Sequence, residues 1–388
     1  MNVLESTDWT FPVPIRYGPG RLNELGSLCC GLGAKRPLLV TDRNSRELPF
    51  VAQALDSMAV AGAPGAVFAD VAPNPTDHDI ARGRAAFTAG QHDAIVAIGG
   101  GSGMDAGKAI SLVARCGQPL WTYDYDYGHW PSATAGDFVP LICIPTTAGT
   151  GAETQSTAMV TDTAAGAKRC VWHPAHKPAT AILDPALTVG LPPNLTAWTG
   201  CDALVHAIEA LAVPSWHPLC DGLAQEAMRL IYKHLPTAVR DGGDLQARGA
   251  MQVGACLAGI SFLKGLGLVH AMSHMIGAVL DTQHGLTNAI LLPCVLQYNR
   301  PGLGDKTDRM CRAMALNGVT FDDLYAAAVD LLDRLDIPDN LAAIGVTEEL
   351  IPELAAKART DAAWATNPVP STVADIEALL HKALHRAR

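Results

Sequence analysis

The chain has 388 residues, of which 49% are hydrophobic and only 17% are charged, and its formal net charge is −10. A chain of this length and apolar content can bury a large core, which excludes a wholly disordered protein and makes two domains the expectation. Neither half of the chain is basic and no cluster of Lys and Arg occurs, so we expect no nucleic acid partner.

Membrane and secretory classes are not indicated either. No uninterrupted apolar stretch is long enough for a membrane-spanning helix, so we expect no membrane partner. The segment from Met1 to Arg16 carries Glu5 and Asp8 without an apolar core, unlike a signal peptide. The ten cysteines contain no CxxC spacing. Reduced, buried thiols in a cytoplasmic protein are therefore the expectation.

The first half of the chain alternates short apolar runs with helical lengths of sequence. The runs 37–41 (PLLVT), 93–98 (DAIVAI) and 139–144 (VPLICI) are compact and rich in β-branched residues. Continuous apolar runs of this length are typical of parallel strands that are covered on both faces. We therefore predict a doubly wound, Rossmann-like α/β domain that binds a dinucleotide.

The second half has a different composition, with long segments rich in alanine and leucine. Their length and composition predict helices, and strand-like runs are scarce. We place the boundary near residue 185, which gives an α/β domain over 1–185 and an all-helical domain over 186–388. The predicted helices cover 195–211, 219–235, 245–260, 269–280, 321–335 and 373–387.

A glycine-rich turn follows the second apolar run, in IVAIGGGSGMDAGKAI (95–110). Glycines let the backbone approach a phosphate, and the N–H groups at a helix start favour an anion. The spacing differs from GxGxxG, so a simple tight turn is an alternative. Asp42 follows the first run and could accept a hydrogen bond from a ribose hydroxyl, or it could be an ordinary helix N-cap.

A second polar loop, PTTAGTGAET (145–154), follows the third apolar run. Its hydroxyls and backbone amides could bind an anionic or polar ligand at the carboxyl end of a sheet. The alternative is a capped turn, since Thr150 and Glu153 have the spacing of a capping box. Both interpretations can hold together.

Histidines and one aspartate give a stronger signal. Asp202 and His206 are four residues apart on a predicted helix, and His270 and His274 repeat this spacing, with His284 ten residues further on. Such pairs share one helix face, and one carboxylate with three imidazoles suits Fe²⁺ or Zn²⁺. Core histidines are the alternative, and spacing does not decide between His270 and His274.

Together these residues resemble the iron-containing alcohol dehydrogenase family over essentially the whole chain. The resemblance is carried by GGGSGMDAGKA, PTTAGTGAET, LDPALTVGLPP, TGCDALVHAIE and HAMSHMIGAVLDTQHGLTNAILLP. It implies that the metal ligands are Asp202, His206, His270 and His284. It also implies that His274 lies beside the metal, towards the nicotinamide.

The resemblance further implies an NAD site in the first domain. Asp42 and Asn74 match positions on the adenosine side, and Asp42 favours NAD over NADP. Lys168 matches a lysine near the ribose, and Leu187 lies in the matching segment 183–193. The remaining matches are in the two polar loops, at Gly99, Gly100, Gly101, Ser102, Asp105, Thr146, Thr147 and Thr150.

One departure from the family pattern concerns the substrate. The segment SFLKGLGLVH (261–270) places Lys264 where the family usually presents neutral residues. Branches with KGLG resemble enzymes for ω-hydroxy acids such as 4-hydroxybutyrate. We therefore hypothesise that Lys264 belongs to the catalytic site, where it pairs with an anionic group of the substrate. The alternative is a lysine that extends to the surface.

The implied activity is reversible hydride transfer between an alcohol and NAD, assisted by Fe²⁺ or Zn²⁺, with His274 as a catalytic proton relay. The partners would be a small alcohol or aldehyde and, as in the family, a second copy of the chain in a homodimer or larger homo-oligomer. The alternatives on the same fold are a lyase of the dehydroquinate-synthase type, a glycerol dehydrogenase and a maleylacetate reductase.

Overall fold

The computed structural model describes residues 13–386, which fall into two units. Of the described residues, 13–147 with Ala152–Thr188 form the α/β unit, and Ala148–Gly151 with 189–386 form the helical unit. The division at Thr188 lies close to the predicted residue 185. The segment Ala148–Gly151 belongs to the helical unit, whereas the predicted boundary places it in the first domain.

The α/β unit contains one six-stranded parallel sheet in the order β1-β8-β5-β4-β2-β3, and a separate antiparallel hairpin of β6 and β7. Its helices are α1 (Leu25–Gly31), α2 (Pro49–Val60), α3 (Asp77–Ala89) and α4 (Gly101–Ala114). The strands are β1 (Ile15–Tyr17), β2 (Pro37–Val40), β3 (Ala66–Phe68), β4 (Ala94–Gly99), β5 (Leu141–Pro145), β6 (Ala158–Asp162), β7 (Ala167–Val171) and β8 (Thr180–Leu183).

Both faces of the sheet are buried at its central strands β2, β4 and β5, which explains why these strands are apolar throughout. Leu38 and Val40 pack into one core with side chains of α3 and α4, whereas Leu39 between them packs into a second core with α1 and α2. Successive strand residues point to opposite faces, so a strand covered on both sides needs an apolar residue at every position. The predicted doubly wound α/β domain is confirmed.

The strand order places a ligand-binding position at one point of the sheet. The chain adds β3 on one side of β2 and then returns to add β4 on the other side, so the direction of winding reverses between β2 and β4. Ligands of open α/β sheets bind outside the carboxyl ends of the strands at such a point. Asp42 follows β2 here, and the glycine turn follows β4.

The helical unit contains no strand among its described residues, as predicted. Its helices surround one apolar core. The prediction omitted α9, α10 and α12. The helices are α5 (Pro193–Ala212), α6 (Pro218–Arg240), α7 (Leu245–Ser261), α8 (Leu268–Leu280), α9 (His284–Leu303), α10 (Lys306–Ala313), α11 (Phe321–Arg334), α12 (Ile351–Ala358) and α13 (Val373–His385).

Helix ends in this unit follow local sequence signals. Asp244 caps α7, and α11 and α13 begin with reciprocal Thr–Asp capping boxes. Within residues 13–386 no single helix is long and apolar enough to cross a membrane. The bent pair Leu245–Lys264 and Leu268–Leu280 meets the same length and composition test only when its two helices are taken together.

Candidate nucleotide loop and metal centre

Glycines allow β4 and α4 to pack closely with their surroundings. Gly99 has a φ of +140°, and a Cβ there would lie 3.2 Å from Thr41 Oγ1. A Cβ on Gly107 would lie only 2.4 Å from Ala97 Cβ, so α4 packs closely on its strand. No side chain caps the N-terminus of α4 at Gly100. Its first N–H groups are therefore available to an anion such as a pyrophosphate.

Asp42 takes part in the turn after β2. Its Oδ1 accepts hydrogen bonds from the backbone N–H groups of Asn44 at 3.0 Å and Ser45 at 3.1 Å, and its Oδ2 accepts from the Ser45 hydroxyl at 2.6 Å. The carboxylate therefore stabilises the turn, although it does not cap a helix. Its ribose contact stays a prediction, because each carboxylate oxygen can accept further hydrogen bonds.

Several predicted nucleotide residues lie at the glycine turn. The Thr146 N–H donates to Gly99 O at 2.9 Å. Thr147 Cγ2 would be 3.5 Å from a Cβ on Gly100. The Ser102 hydroxyl donates to the carbonyl of Pro73, the residue before Asn74. The structure thus brings β4, β5 and the 73–74 segment to one end of the sheet.

Three other predicted nucleotide residues lie on further segments of the chain. Lys168 lies on β7 opposite Thr161, and Leu187 packs against the core formed by α1 and α2. Thr150 lies in the segment assigned to the helical unit, where a Cβ on neighbouring Gly151 would be 2.6 Å from Ala255 O of α7. Contacts of these three residues with a nucleotide stay predictions.

Asp105 is paired with a lysine that the sequence analysis missed. Lys108 is fully buried, lies 3.3 Å from Asp105 Oδ1, and donates to the carbonyl oxygens of Ala152 at 3.0 Å and Thr157 at 2.5 Å. Burial raises the pKa of Asp105, opposed mainly by the charge of Lys108. This pair joins α4 to the segment before β6. A lysine within the apolar stretch AGKAI was the available signal.

The four predicted metal ligands converge in the helical unit. Asp202 and His206 come from α5, His270 from α8, and His284 is the first residue of α9. One possible ligand atom from each lies within 4.8 Å of the others. The Nε2 atoms of His206, His270 and His284 lie 3.8, 3.8 and 3.6 Å from Asp202 Oδ1.

These separations fit a divalent transition metal. Tetrahedral bonds of about 2.1 Å place neighbouring ligand atoms about 3.4 Å apart, close to the spacing observed. Burial lowers the pKa of His206 and takes that of His270 well below its ordinary value. Both imidazoles are therefore neutral near pH 7, as metal binding requires.

The four ligands differ in their exposure to solvent. Asp202, His206 and His270 are buried, whereas the side chain of His284 is 30% exposed and that of neighbouring His274 is 19% exposed. The exposed part of the ligand group is therefore formed by His284, with His274 beside it. The three buried ligands hold the group within the apolar core of the unit.

Glu209, which the sequence analysis missed, orients one ligand. Its Oε2 accepts from His270 Nδ1 at 2.6 Å and from the Gly267 N–H at 3.0 Å, and its Oε1 accepts from the Val269 N–H at 2.8 Å. Burial raises the pKa of Glu209 to about 7. By holding Nδ1, Glu209 directs Nε2 of His270 towards Asp202. The available signal was its position one turn after His206.

Replacing Glu209 with glutamine is expected to weaken metal binding by roughly 10- to 100-fold, since the imidazole of His270 loses its carboxylate partner. Competition with a coloured chelator measures this affinity. Glu226→Gln, which removes an exposed carboxylate paired with Arg229 on α6, is the matched control and should leave the affinity unchanged. An unchanged affinity in Glu209→Gln would show that this contact does not support the ligand group.

Asn288 is a second residue that the sequence analysis missed, one turn after His284. Its Nδ2 donates to Asp202 Oδ1 at 2.8 Å and lies 3.2 Å from His270 Nε2 and 3.1 Å from His284 Nε2. The side chain is buried, and its Oδ1 has no hydrogen-bond partner. The amide therefore contacts three of the four ligand atoms and fixes the carboxylate of Asp202.

His274 lies outside this group of four but against it. Its Nδ1 is 2.9 Å from Asp361 Oδ2, and its ring stacks on His284 with centroids 5.3 Å apart and planes 12° apart. Asp361 is held in turn by the N–H of Ala363 at 2.8 Å. A proton on Nδ1 that is held by Asp361 leaves Nε2 as the nitrogen able to exchange a proton.

Lys264 requires a correction. Its side chain is 1% exposed, and its Nζ lies 2.6 Å from Asp221 Oδ1 on α6. The other carboxylate oxygen of Asp221 lies 3.1 Å from Arg309 on α10. The ammonium is therefore paired inside the protein, because a buried cation needs a nearby counter-charge. It is not presented to a substrate anion, and the alternative of a lysine at the surface is wrong as well.

Comparison with known protein families decides the wider assignment. Residues 12–185 match the model described as iron-containing alcohol dehydrogenase, and residues 196–384 match the C-terminal model of the Fe-containing alcohol dehydrogenase family. The chain belongs to the iron-containing alcohol dehydrogenase family. The predicted family and the predicted fold are thus both confirmed.

Curated relatives and solved structures agree with this assignment. The NAD-dependent methanol dehydrogenase of Bacillus methanolicus is 37% identical over 97% of this chain and 100% of its own. The 4-hydroxybutyrate dehydrogenase of Cupriavidus necator is 35% identical over 94% and 96%. A 1,3-propanediol oxidoreductase structure superposes with a TM-score of 0.91 at 35% identity, covering 95% and 97%. Sulfoacetaldehyde reductase from Bifidobacterium kashiwanohense, solved with NAD⁺, gives 0.87 at 28%, covering 98% of each.

This alcohol dehydrogenase is therefore an NAD-dependent, metal-containing oxidoreductase that interconverts alcohols with their carbonyl compounds. Its substrates are small alcohols and aldehydes. The lyase alternative finds no support among these relatives.

Proposed function

We propose that this alcohol dehydrogenase uses Fe²⁺, held by Asp202, His206, His270 and His284, to interconvert short, uncharged primary alcohols and aldehydes. The convergence of one carboxylate and three imidazoles within 4.8 Å supports the metal site most directly. Zn²⁺ accepts the same ligands, and the family supports Fe²⁺ as the first choice.

The preference for uncharged substrates follows from the position of Lys264. The sequence suggested this lysine as the partner of a substrate carboxylate, but Asp221 and Arg309 enclose it in an internal ion cluster. A substrate carboxylate that leaves water without gaining a cationic partner pays a large cost of desolvation. The relatives named for methanol and 1,3-propanediol are consistent with an uncharged substrate, whereas the one named for 4-hydroxybutyrate supports the ω-hydroxy acid alternative.

The residues described above would each have a separate role in the reaction. When bound, the divalent ion supplies Lewis-acid catalysis and NAD supplies the hydride acceptor. Glu209 and Asn288 hold His270 and Asp202 in their orientations. His274 would take the alcohol proton at Nε2, and the contact of its Nδ1 with Asp361 supports this role. The glycine turn at the switch point binds the pyrophosphate of the cofactor.

Replacing His274 with alanine is expected to lower kcat by roughly 10²-fold or more, because the general acid–base step loses its relay. Bound metal should stay near one ion per chain, since His274 lies outside the ligand group. Metal analysis and steady-state kinetics on one preparation check both points. Loss of the metal would instead identify His274 as a ligand, and unchanged kcat would remove it from the proton path.

A panel of aldehydes assayed with NADH tests the proposed substrate class. After loading with Fe²⁺ or Zn²⁺, each aldehyde of two to four carbons is paired with the analogue that carries a terminal carboxylate. We expect kcat/KM for the neutral member to be at least about tenfold higher. A preference for the carboxylated member would refute the proposal and restore the ω-hydroxy acid alternative. The same panel compares the activities of the Fe²⁺ and Zn²⁺ enzymes.

A homo-oligomeric state and a cytoplasmic location stay predictions. The first is checked by the mass of the purified protein in solution, and the second by fractionation of the source cells.

A further inference from the structure

A second group of metal-binding side chains lies elsewhere in the helical unit. Glu348 begins the short helical turn Glu348–Leu350 before α12, and His381 and His385 lie on the last turns of α13. His381 Nδ1 lies 2.7 Å from Glu348 Oε2, and His385 Nε2 contacts the other carboxylate oxygen of Glu348. The three ligand atoms lie within 4.8 Å of one another. All three residues are exposed.

The helix geometry favours a shared ligand. Residues four apart lie on one face of a helix, one turn from each other, so the two imidazoles of α13 face the same volume. The C-terminal end of a helix carries a partial negative charge, which favours a cation at this position. Glu348 comes from a different segment and supplies an anionic oxygen on the opposite side.

The donor set selects the class of ion. Two imidazole nitrogens with one carboxylate suit Zn²⁺, Ni²⁺ and Cu²⁺, whereas Ca²⁺ and Mg²⁺ prefer sites made of oxygen alone. Three protein ligands leave the remaining coordination positions to water. The residue that follows α13 also contacts the segment before this turn, since Arg386 Nε donates to Asp339 O at 2.8 Å.

We propose that Glu348, His381 and His385 form a second divalent-metal site, which binds an ion of the Zn²⁺, Ni²⁺ or Cu²⁺ class and joins the end of α13 to the turn at Glu348. The site shares no residue with the ligand group at Asp202. An ion that binds only the folded protein stabilises it, so this ion would secure the C-terminal helix against separation from the rest of the unit.

The test counts metal on the loaded enzyme. Protein without a histidine tag is first saturated at the Asp202 site and then dialysed against increasing Zn²⁺, and bound metal is measured per chain. A Cys30→Ser background removes the one exposed thiol among the ten cysteines. We expect two ions per chain in this background and one ion after His381→Gln with His385→Gln. The second ion should also raise the melting temperature by about 2–4 °C.

Matched variants separate this site from other surface histidines. His129→Gln removes an exposed imidazole of the α/β unit and should keep the second ion. Glu348→Gln should weaken the second site without changing NADH-dependent activity, since Glu348 has no part in catalysis. A second ion that persists in the double histidine variant would refute the site, and so would a stoichiometry of one in the parent protein. If the double variant fails to fold, Glu348→Gln decides the question by the Zn²⁺ concentration needed to bind the second ion: a higher concentration supports the site, and an unchanged one refutes it.

Discussion

Replacing Asp202 with alanine is expected to remove the catalytic metal and to lower kcat/KM for alcohol oxidation by at least about 10³-fold. Asp202 is the only anionic member of the four-residue group, and the Nε2 atoms of all three histidines lie within 3.8 Å of its Oδ1. The variant leaves three imidazoles without the anionic ligand that they surround, so the site loses one of its four ligands and its only negative charge. Metal analysis and steady-state kinetics measure the two effects.

A control variant and a contradicting result complete this test. Asp330→Ala, which removes an exposed carboxylate paired with Arg334 on α11, should keep both metal and activity. An Asp202→Ala enzyme that retains one ion per chain and activity within about tenfold of the parent would show that the catalytic ion is bound elsewhere.

The second large effect concerns stability. Replacing Asp221 with asparagine should lower the free energy of unfolding by about 3–5 kcal/mol, because it leaves the ammonium of Lys264 buried without a counter-charge. Lys264→Met should cost less, since Asp221 keeps Arg309 as a partner at 3.1 Å. Urea unfolding of the metal-loaded enzyme measures these differences.

The double variant makes this test sharper. Lys264→Met combined with Asp221→Asn should be more stable than Asp221→Asn alone, because neither charge is then buried without its partner. Glu353→Gln removes one partner of the exposed pair with Lys357 and should cost no more than about 1 kcal/mol. Equal losses for Asp221→Asn and Glu353→Gln would mean that the buried pair contributes no more than a surface pair.

Much of the fold could be predicted because its signals are local. The central strands β2, β4 and β5 are continuous apolar runs. Six helices of the helical unit were predicted because their segments are long and rich in alanine and leucine. The edge strands β1 and β3 are three residues long, and β7 has four half-buried residues, so neither length nor pattern marks them. The assignment of Ala148–Gly151 to the helical unit depends on its packing against α5 and α7, which no local pattern reports.

The candidate site was predictable up to the choice between two histidines. The spacing of His270 and His274 is symmetric, and only partners from distant segments distinguish them. Glu209 on α5 holds His270, whereas Asp361, which follows α12, holds His274. Lys264 shows the same limit, since its partner Asp221 is 43 residues away in sequence. His381 and His385 were missed because two histidines on a solvent-facing helix surface resemble any polar helix face.

Removal and return of the metal tests the central claim most directly. The enzyme is stripped with a chelator until bound metal falls below about 0.05 ions per chain, and NADH-dependent aldehyde reduction is measured before and after Fe²⁺ is added. Since the Lewis-acid contribution amounts to several kcal/mol, we predict that activity falls by at least about 10³-fold and returns with one ion bound at the Asp202 site. Full NADH-dependent aldehyde reduction by the stripped enzyme would contradict the account.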